Sequence, residues 1–226
     1  MTNLILDIDD TAYAFTDTFI KFINNRLQRS FTRPIQPLEW GSQEVFGIDR
    51  AQFDYLLKNF TEHNNFRKLP YLKGFWEAAC WFHNNEKAYG HPHYITLREP
   101  NAFIQTFNSL QSLYSDMHSF HAAQSFHLHI ANPKHQTKAK IINSIRHWGE
   151  DDTVFIDDNP TLINQVAKEC PGVLTIWLNT LNFHPEIASP HYLVSTWSEV
   201  IDLLKSRDHD LLLKHSMHPE EQLSLV

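Results

Sequence analysis

Aspartates gather in two tight groups, Asp7-Ile8-Asp9-Asp10-Thr11 near the start of the chain and Asp157-Asp158 far along it. Each group follows a short apolar run, Asn3-Leu4-Ile5-Leu6 and Thr153-Val154-Phe155-Ile156, of the kind that forms a buried strand. Ligands of open α/β sheets bind outside the carboxyl ends of the strands, so Asp7, Asp9, Asp10, Thr96, Asp157 and Asp158 are the candidates for one crevice. Carboxylates crowded there repel one another, and a divalent cation relieves the repulsion. Oxygen ligands of this hardness favour Mg²⁺, which keeps several waters and commonly bridges to phosphate. An aspartate in such a place is able to act as a nucleophile and form an aspartyl-phosphate, while a second carboxyl protonates the leaving oxygen and later activates water. The plain structural alternative for Asp7 to Thr11 is a polar turn at a strand end. A calcium loop fits poorly, because Thr11 takes the third acidic position and no Gly stands at 12.

Cations complement these acids. Lys138 and Lys140 fall in the first turn of an expected helix, where positive charge opposes the helix dipole. A lysine there is easier to explain if it faces the acids or a phosphate than if it is solvated, and Thr137 is a suitable N-cap. Thr96 ends a strand, so its hydroxyl suits a phosphate oxygen, and Arg98 offers a bidentate phosphate contact. A solvated loop arginine is an equal alternative.

The elements that must position these residues alternate. Strands are expected at 3–6, 93–97, 126–130, 153–156, 173–178 and 191–194, and helices at 100–114, 137–148, 160–169 and 196–206. Such alternation implies an α/β fold with a Rossmann-like parallel sheet and crossover helices. Between the first two strands lies far more chain than a crossover needs. It carries helical patterns at 13–30, 49–61 and 74–87, separated around Pro34 and Pro37. Residues 13–90 are therefore read as an inserted helical cap, 1–12 and 91–206 as the catalytic core, and 207–226 as a polar, loosely packed tail. Phe15, Phe19, Trp40 and Phe46 of the insertion are assigned to its core rather than to base stacking.

In this order, Leu4-Ile5-Leu6-Asp7-Ile8-Asp9-Asp10-Thr11, Tyr94-Ile95-Thr96, Lys138 and Val154-Phe155-Ile156-Asp157-Asp158 resemble the haloacid dehalogenase-like hydrolase superfamily. The resemblance covers the core, and the first and last motifs are its specific part. It implies Mg²⁺ dependence and an aspartyl-phosphate intermediate. Asp7 matches the family nucleophile and Asp9 the general acid/base. Thr96 and Lys138 match the phosphate-holding pair, with Lys134 and Lys140 as alternatives for the lysine. Asp157 and Asp158 match the metal-binding acids, alongside Asp7 and the backbone carbonyl of Asp9. Dehalogenase members lack the second acid, so Asp9 favours phosphoryl chemistry. The insertion after the first motif resembles the caps of nucleotidase-like and phosphoglycolate-phosphatase-like members.

Composition sets the outer limits. The 226 residues carry a net charge of −7, with 42% hydrophobic and 20% charged residues, which suits a globular domain and argues against a large nucleic-acid footprint. No apolar run reaches the roughly 20 residues that span a bilayer. Cys80 and Cys170 cannot build a disulfide framework, and with no export signal at the start they suggest the cytoplasm. The 15 His fall in no zinc-binding frame. His91/His93 and His127/His129 are each spaced to share a strand face, as sheet-edge residues first and a zinc site second. Neither a phosphate-cradling Gly-rich loop nor a Gly-x-Ser-x-Gly nucleophile elbow is present. The expected activity is hydrolysis of a small phosphomonoester, a nucleotide monophosphate first. A macromolecular phosphoester and a catalytically silent binding protein are the rivals.

Overall fold

The computed structural model describes residues 2–32, 46–62, 65–117, 126–132, 135–146, 152–180 and 185–216, except for the side chains of 187 and 208–216. Pro34, Pro37, Trp40, Lys134 and Trp148 lie outside the described residues. A six-stranded sheet forms the centre, in the order β3-β2-β1-β4-β5-β6. The strands are β1 (Asn3–Leu6), β2 (His93–Thr96), β3 (His127–Ile130), β4 (Thr153–Asp157), β5 (Val173–Leu178) and β6 (Tyr192–Val194). Every pairing is parallel. All carboxyl ends therefore point the same way, and the chain must cross over between strands.

Side-chain alternation divides the core into two layers. Leu4, Leu6, Tyr94, Val154, Ile156, Ile176 and Leu178 face one way and pack with α3 (Phe75–Asn84), α5 (Phe103–Met117) and α8 (Trp197–Ser216). Ile5, Ile95, Phe155 and Trp177 face the other way and pack with α6 (Lys138–Arg146) and α7 (Pro160–Glu169). Burial on both faces explains why these strands read as continuous apolar runs rather than as alternating ones.

Between β1 and β2 the chain forms α1 (Phe15–Leu27), α2 (Arg50–Glu62), a 3₁₀ turn at Asn65–Lys68, α3, and a short α4 (Glu86–Tyr89). Phe15, Phe19, Phe53, Phe60 and Phe66 bury one another in stacked and edge-on contacts, so Phe15 and Phe19 are core residues, as is Phe46. That aromatic cluster is continuous with the sheet's first layer. α3 sits with the sheet helices: Phe75 and Phe82 both pack on the Trp197 ring of α8. Gly74, at φ 83°, precedes α3 where an added Cβ would stand 3.2 Å from Trp197 Cβ. A side chain there would meet both backbone strain and a close neighbour.

Several boundaries differ from the sequence-based expectation. The helix expected at 74–87 is divided at Asn85, whose side chain donates to Trp81 O (2.7 Å). The helix expected from Pro100 opens as a 3₁₀ turn and becomes α5 at Phe103. α8 does not stop at Ser206 but continues to Ser216. No Gly or Pro interrupts residues 207–216, and Arg207 pairs with Asp152 at 2.8 Å.

At the β3 edge the histidines of the two strands meet. His93 and His127 are direct register partners with rings stacked at 4.5 Å. His93 Nδ1 and His129 Nε2 share a hydrogen bond of 3.0 Å. Burial, then the neighbouring imidazoles of His127, His129 and His91, push the His93 pKa down to about 3. The His127 and His129 values are lowered for the same first reason. The unfolded chain protonates such a histidine near pH 6.5 and the folded one does not, so stability is lost as pH falls below about 6.5. Relative to wild type, His93→Gln should therefore gain melting temperature as the pH is lowered from 7.5 to 5. Equal pH slopes for the two proteins would show that His93 does not titrate this way.

Candidate active site

The register of the central strands sets the first two acids side by side. Leu6 pairs with Ile156, and Asp7 and Asp157 are the next residues on their chains. The Asp7 N–H continues the ladder onto Ile156 O at 2.9 Å, so the Asp7 backbone is held like strand. Beyond it the chain turns tightly. Ala12 N and Tyr13 N both donate to Ile8 O, at 2.9 and 3.0 Å, and Asp10 N donates to Tyr13 O at 2.7 Å. Asp10 adopts φ 58°, a left-handed conformation that aspartate tolerates better than most residues. Its carboxylate accepts the Thr16 N–H at 3.0 Å and the Thr16 hydroxyl, which ties the turn to the start of α1. Asp10 therefore has a structural role.

Lys138 is the buried counterion. Its Nζ donates to Asp7 Oδ1 and, at 2.8 Å, to Asp157 Oδ2. The residue is 2% exposed, so the helix start turns its charge inward onto the acids. Lys140, two positions on, is exposed and reaches His135 O at 3.3 Å. Asp157 Oδ1 accepts the Asn159 N–H at 2.8 Å, and the Asn159 side chain caps α7. Asp158 is held by Thr11, whose hydroxyl donates to Asp158 Oδ1 (3.2 Å) and accepts from Asp158 N (3.1 Å). Trp177 Nε1 donates to Asp158 O at 2.9 Å, and Trp197 Nε1 donates to Thr11 O at 2.9 Å.

Carboxylate oxygens of Asp7, Asp157 and Asp158 lie within 4.8 Å of one another. Burial, with the charges of Asp157 and Asp9, raises the Asp7 pKa to about 7 against the opposing pull of Lys138. Burial, then Asp10, Asp157 and Asp7, raises that of Asp158 well above the usual carboxylate range. Burial alone would lower the Lys138 value, but Asp157 and Asp7 more than offset it and the net shift is upward. One ammonium faces several acids, so the cluster remains short of positive charge.

Asp9 points elsewhere. Arg98 grips it with Nε (2.9 Å to Oδ2) and Nη2 (2.6 Å to Oδ1), a two-pronged pair. Arg98 Nη1 donates to Thr106 Oγ1 on α5 at 2.9 Å, and the Phe66 ring lies 4.2 Å from the guanidinium carbon. Thr96, at the end of β2, is fully buried, and its hydroxyl accepts the Arg98 N–H at 3.1 Å. The structure thus gathers Asp7, Lys138, Asp157 and Asp158 in one cluster and Asp9, Arg98 and Thr96 in a second. Thr11, Thr106, Phe66 and the two tryptophans were not singled out by sequence. Only Thr11 carried a signal, its place inside the acidic motif.

No protein-family model and no curated protein matches this sequence. Solved structures do match its fold. The HAD-hydrolase YfnB from Bacillus subtilis, solved bound to magnesium, superposes with a TM-score of 0.56 at 15% identity, over 90% of this chain and 98% of that one. A HAD-superfamily hydrolase of subfamily IA, variant 1, from Geobacter sulfurreducens gives 0.55 at 16% identity, over 90% and 96%. A dehalogenase gives 0.55 at 12% identity over the same shares. At these identities the likeness is one of fold: the chain has the α/β architecture of haloacid dehalogenase-like hydrolases.

An acid whose folded pKa is raised binds its proton more tightly folded than unfolded. Its contribution to stability is therefore complete below the unfolded value near 4 and lost as pH rises through the folded value. For Asp7 that window runs from about pH 4 to about pH 7. In EDTA-treated protein, Asp7→Asn should lose less melting temperature than wild type between pH 5 and pH 8. Parallel curves would refute the buried, proton-retaining state of Asp7.

Proposed function

We propose that this chain is a Mg²⁺-dependent phosphatase that hydrolyses a small phosphomonoester, a nucleoside monophosphate first among them, through an aspartyl-phosphate on Asp7. The observation that supports it most is the Asp7–Lys138–Asp157–Asp158 cluster at the carboxyl ends of adjacent strands, with a second acid, Asp9, two residues beyond Asp7. The paired acids give the two carboxyl groups different surroundings, and hence different roles.

Asp7 is the nucleophile. Lys138 holds the carboxylate by Oδ1, which leaves Oδ2 to attack phosphorus. The bond from phosphorus to the leaving oxygen breaks, and Asp9 supplies the proton that oxygen needs. Asp9 then takes a proton from water as that water attacks the aspartyl-phosphate, which returns Asp7 and releases phosphate. Lys138 and Thr96 would steady the negative charge that develops on the transferred group.

The donor set fits a hard divalent cation. Asp7, Asp157 and Asp158 offer carboxylate oxygens only, and burial and mutual repulsion disfavour leaving them all ionised without one. These three residues, with the Asp9 backbone carbonyl, would hold Mg²⁺. When bound it neutralises charge on the phosphoryl oxygens.

In this reading residues 1–12 and 91–206 are the catalytic core and the segment 13–90 supplies the cap, through α1, α2 and the turn at Asn65–Lys68. Of that segment, α3 packs on α8 through Phe75 and Phe82, and α4 is tied to α8 by the Tyr89 hydroxyl on Leu204 O, so both sit with the core helices. A cap over the crevice favours a small metabolite over a polymer. A cytoplasmic site of action completes the proposal; among the described residues no helix is long and apolar enough to cross a membrane.

The test is a panel of phosphomonoesters, nucleotides included, assayed with Mg²⁺ or with EDTA. Turnover should require Mg²⁺, and Asp7→Asn should lower it about 10³-fold or more without loss of the folded state by circular dichroism. Activity retained by Asp7→Asn would refute the nucleophile assignment.

A further inference from the structure

Arg98 is suited by type to bind a substrate phosphate, yet each of its three guanidinium nitrogens donates to a group of the protein. Nε and Nη2 hold the Asp9 carboxylate and Nη1 holds Thr106. Its side chain is only 3% exposed. The bulk of the guanidinium is covered by Phe66, a residue of the inserted segment that is itself 4% exposed. A second tie joins the same two parts of the fold: Gln105 on α5 donates to Thr61 O of α2 at 2.8 Å. Two lines of contact therefore run from Asp9 into the insertion, one through Arg98 and Phe66, the other through Arg98, Thr106 and its neighbour Gln105.

We infer that Arg98 is a positioning residue for Asp9, and that Thr106 and Phe66 fix Arg98 in turn, so that the inserted segment sets the aim of the general acid. The inference rests on the phosphatase reading above. The step concerned is proton transfer: as the phosphorus–oxygen bond breaks, its electron pair goes to the leaving oxygen, and the Asp9 carboxyl proton goes to the same atom. A planar two-pronged grip fixes the plane and direction of the carboxylate, which a single contact does not. Stacking on Phe66 and the bond to Thr106 remove the remaining freedom of the guanidinium. Asp7 lacks any such grip from Arg98, so the effect should fall on the acid and spare the nucleophile.

That separation is measurable with two esters. A p-nitrophenolate leaves without a proton, whereas an alkoxide does not. Wild type, Arg98→Lys, Thr106→Val and Phe66→Leu are to be assayed with Mg²⁺ on p-nitrophenyl phosphate and on 2-phenylethyl phosphate, with Asp9→Asn as the reference. Arg98→Lys should lower the single-turnover rate of alcohol release from the alkyl ester by about 100-fold, as should Asp9→Asn, and that of nitrophenolate release by less than about 10-fold, because the later hydrolysis of the aspartyl-phosphate, in which Asp9 is the base for both esters, follows the step measured. Thr106→Val and Phe66→Leu should show the same bias at smaller amplitude, and they carry the test if Arg98→Lys fails to fold. Equal losses on both esters would overturn the inference in favour of a structural role. A rise in the half-saturating ester concentration with the maximal single-turnover rate unchanged would overturn it in favour of direct phosphate binding. Wild-type protein that hydrolyses neither these esters nor any phosphomonoester of the panel would remove the phosphatase reading itself, and the inference with it.

Discussion

A single buried ammonium holds the centre of this molecule together. Lys138 reaches from the start of α6 to acids on two neighbouring strands, Asp7 after β1 and Asp157 at the end of β4. Without it, adjacent parallel strands would end in carboxylates facing each other away from water. Removing one partner of such a buried group costs on the order of 3–5 kcal/mol, because the charge left behind is uncompensated. The register of β1 on β4, the turn after Asp7 and the placement of α6 all have to agree for that contact to form.

Compensation is nevertheless incomplete, and this leaves the cluster short of positive charge. Burial and mutual repulsion raise the Asp7 and Asp158 values even with Lys138 in place. An apolar core would exclude such a cluster; here it is kept at the one edge of the sheet where every strand ends and where a hard cation would be welcome. Asp9 is treated differently. It is handed to an arginine, at the rim rather than in the core, and its side chain is 23% exposed. Two aspartates separated by one isoleucine thus receive two cations and two environments.

Much of this was legible from the chain. Apolar runs ending in Asp7 and Asp157 marked two central strands, because a strand buried on both faces must be apolar throughout. The alternation of strands and helices gave the parallel sheet. Cations at the unfavourable end of a helix marked Lys138 and Lys140 alike as candidates to face the acids, with a solvated helix start as the equal alternative. Legibility failed where the determining contact is distant in sequence. Arg98 read equally well as a phosphate ligand and as a solvated residue, since nothing near it shows that Asp9, 89 positions away, takes its fork. The polar sequence after Ser206 read as a tail, although helix propensity with no Gly or Pro carries α8 to Ser216.

Residue types and local order therefore determined the strands, the acids at their ends and the family of folds to which they correspond. Tertiary structure alone decided which cation serves which acid. It chose Lys138 over Lys140 for Asp7, assigned Arg98 to Asp9, and gave Asp10 to Thr16 rather than to the site. The reason is physical. Strand and helix signals are periodic and local, whereas a charge pair forms between whichever groups the register and the turns bring within about 3 Å, and that distance is written nowhere in the spacing of the sequence.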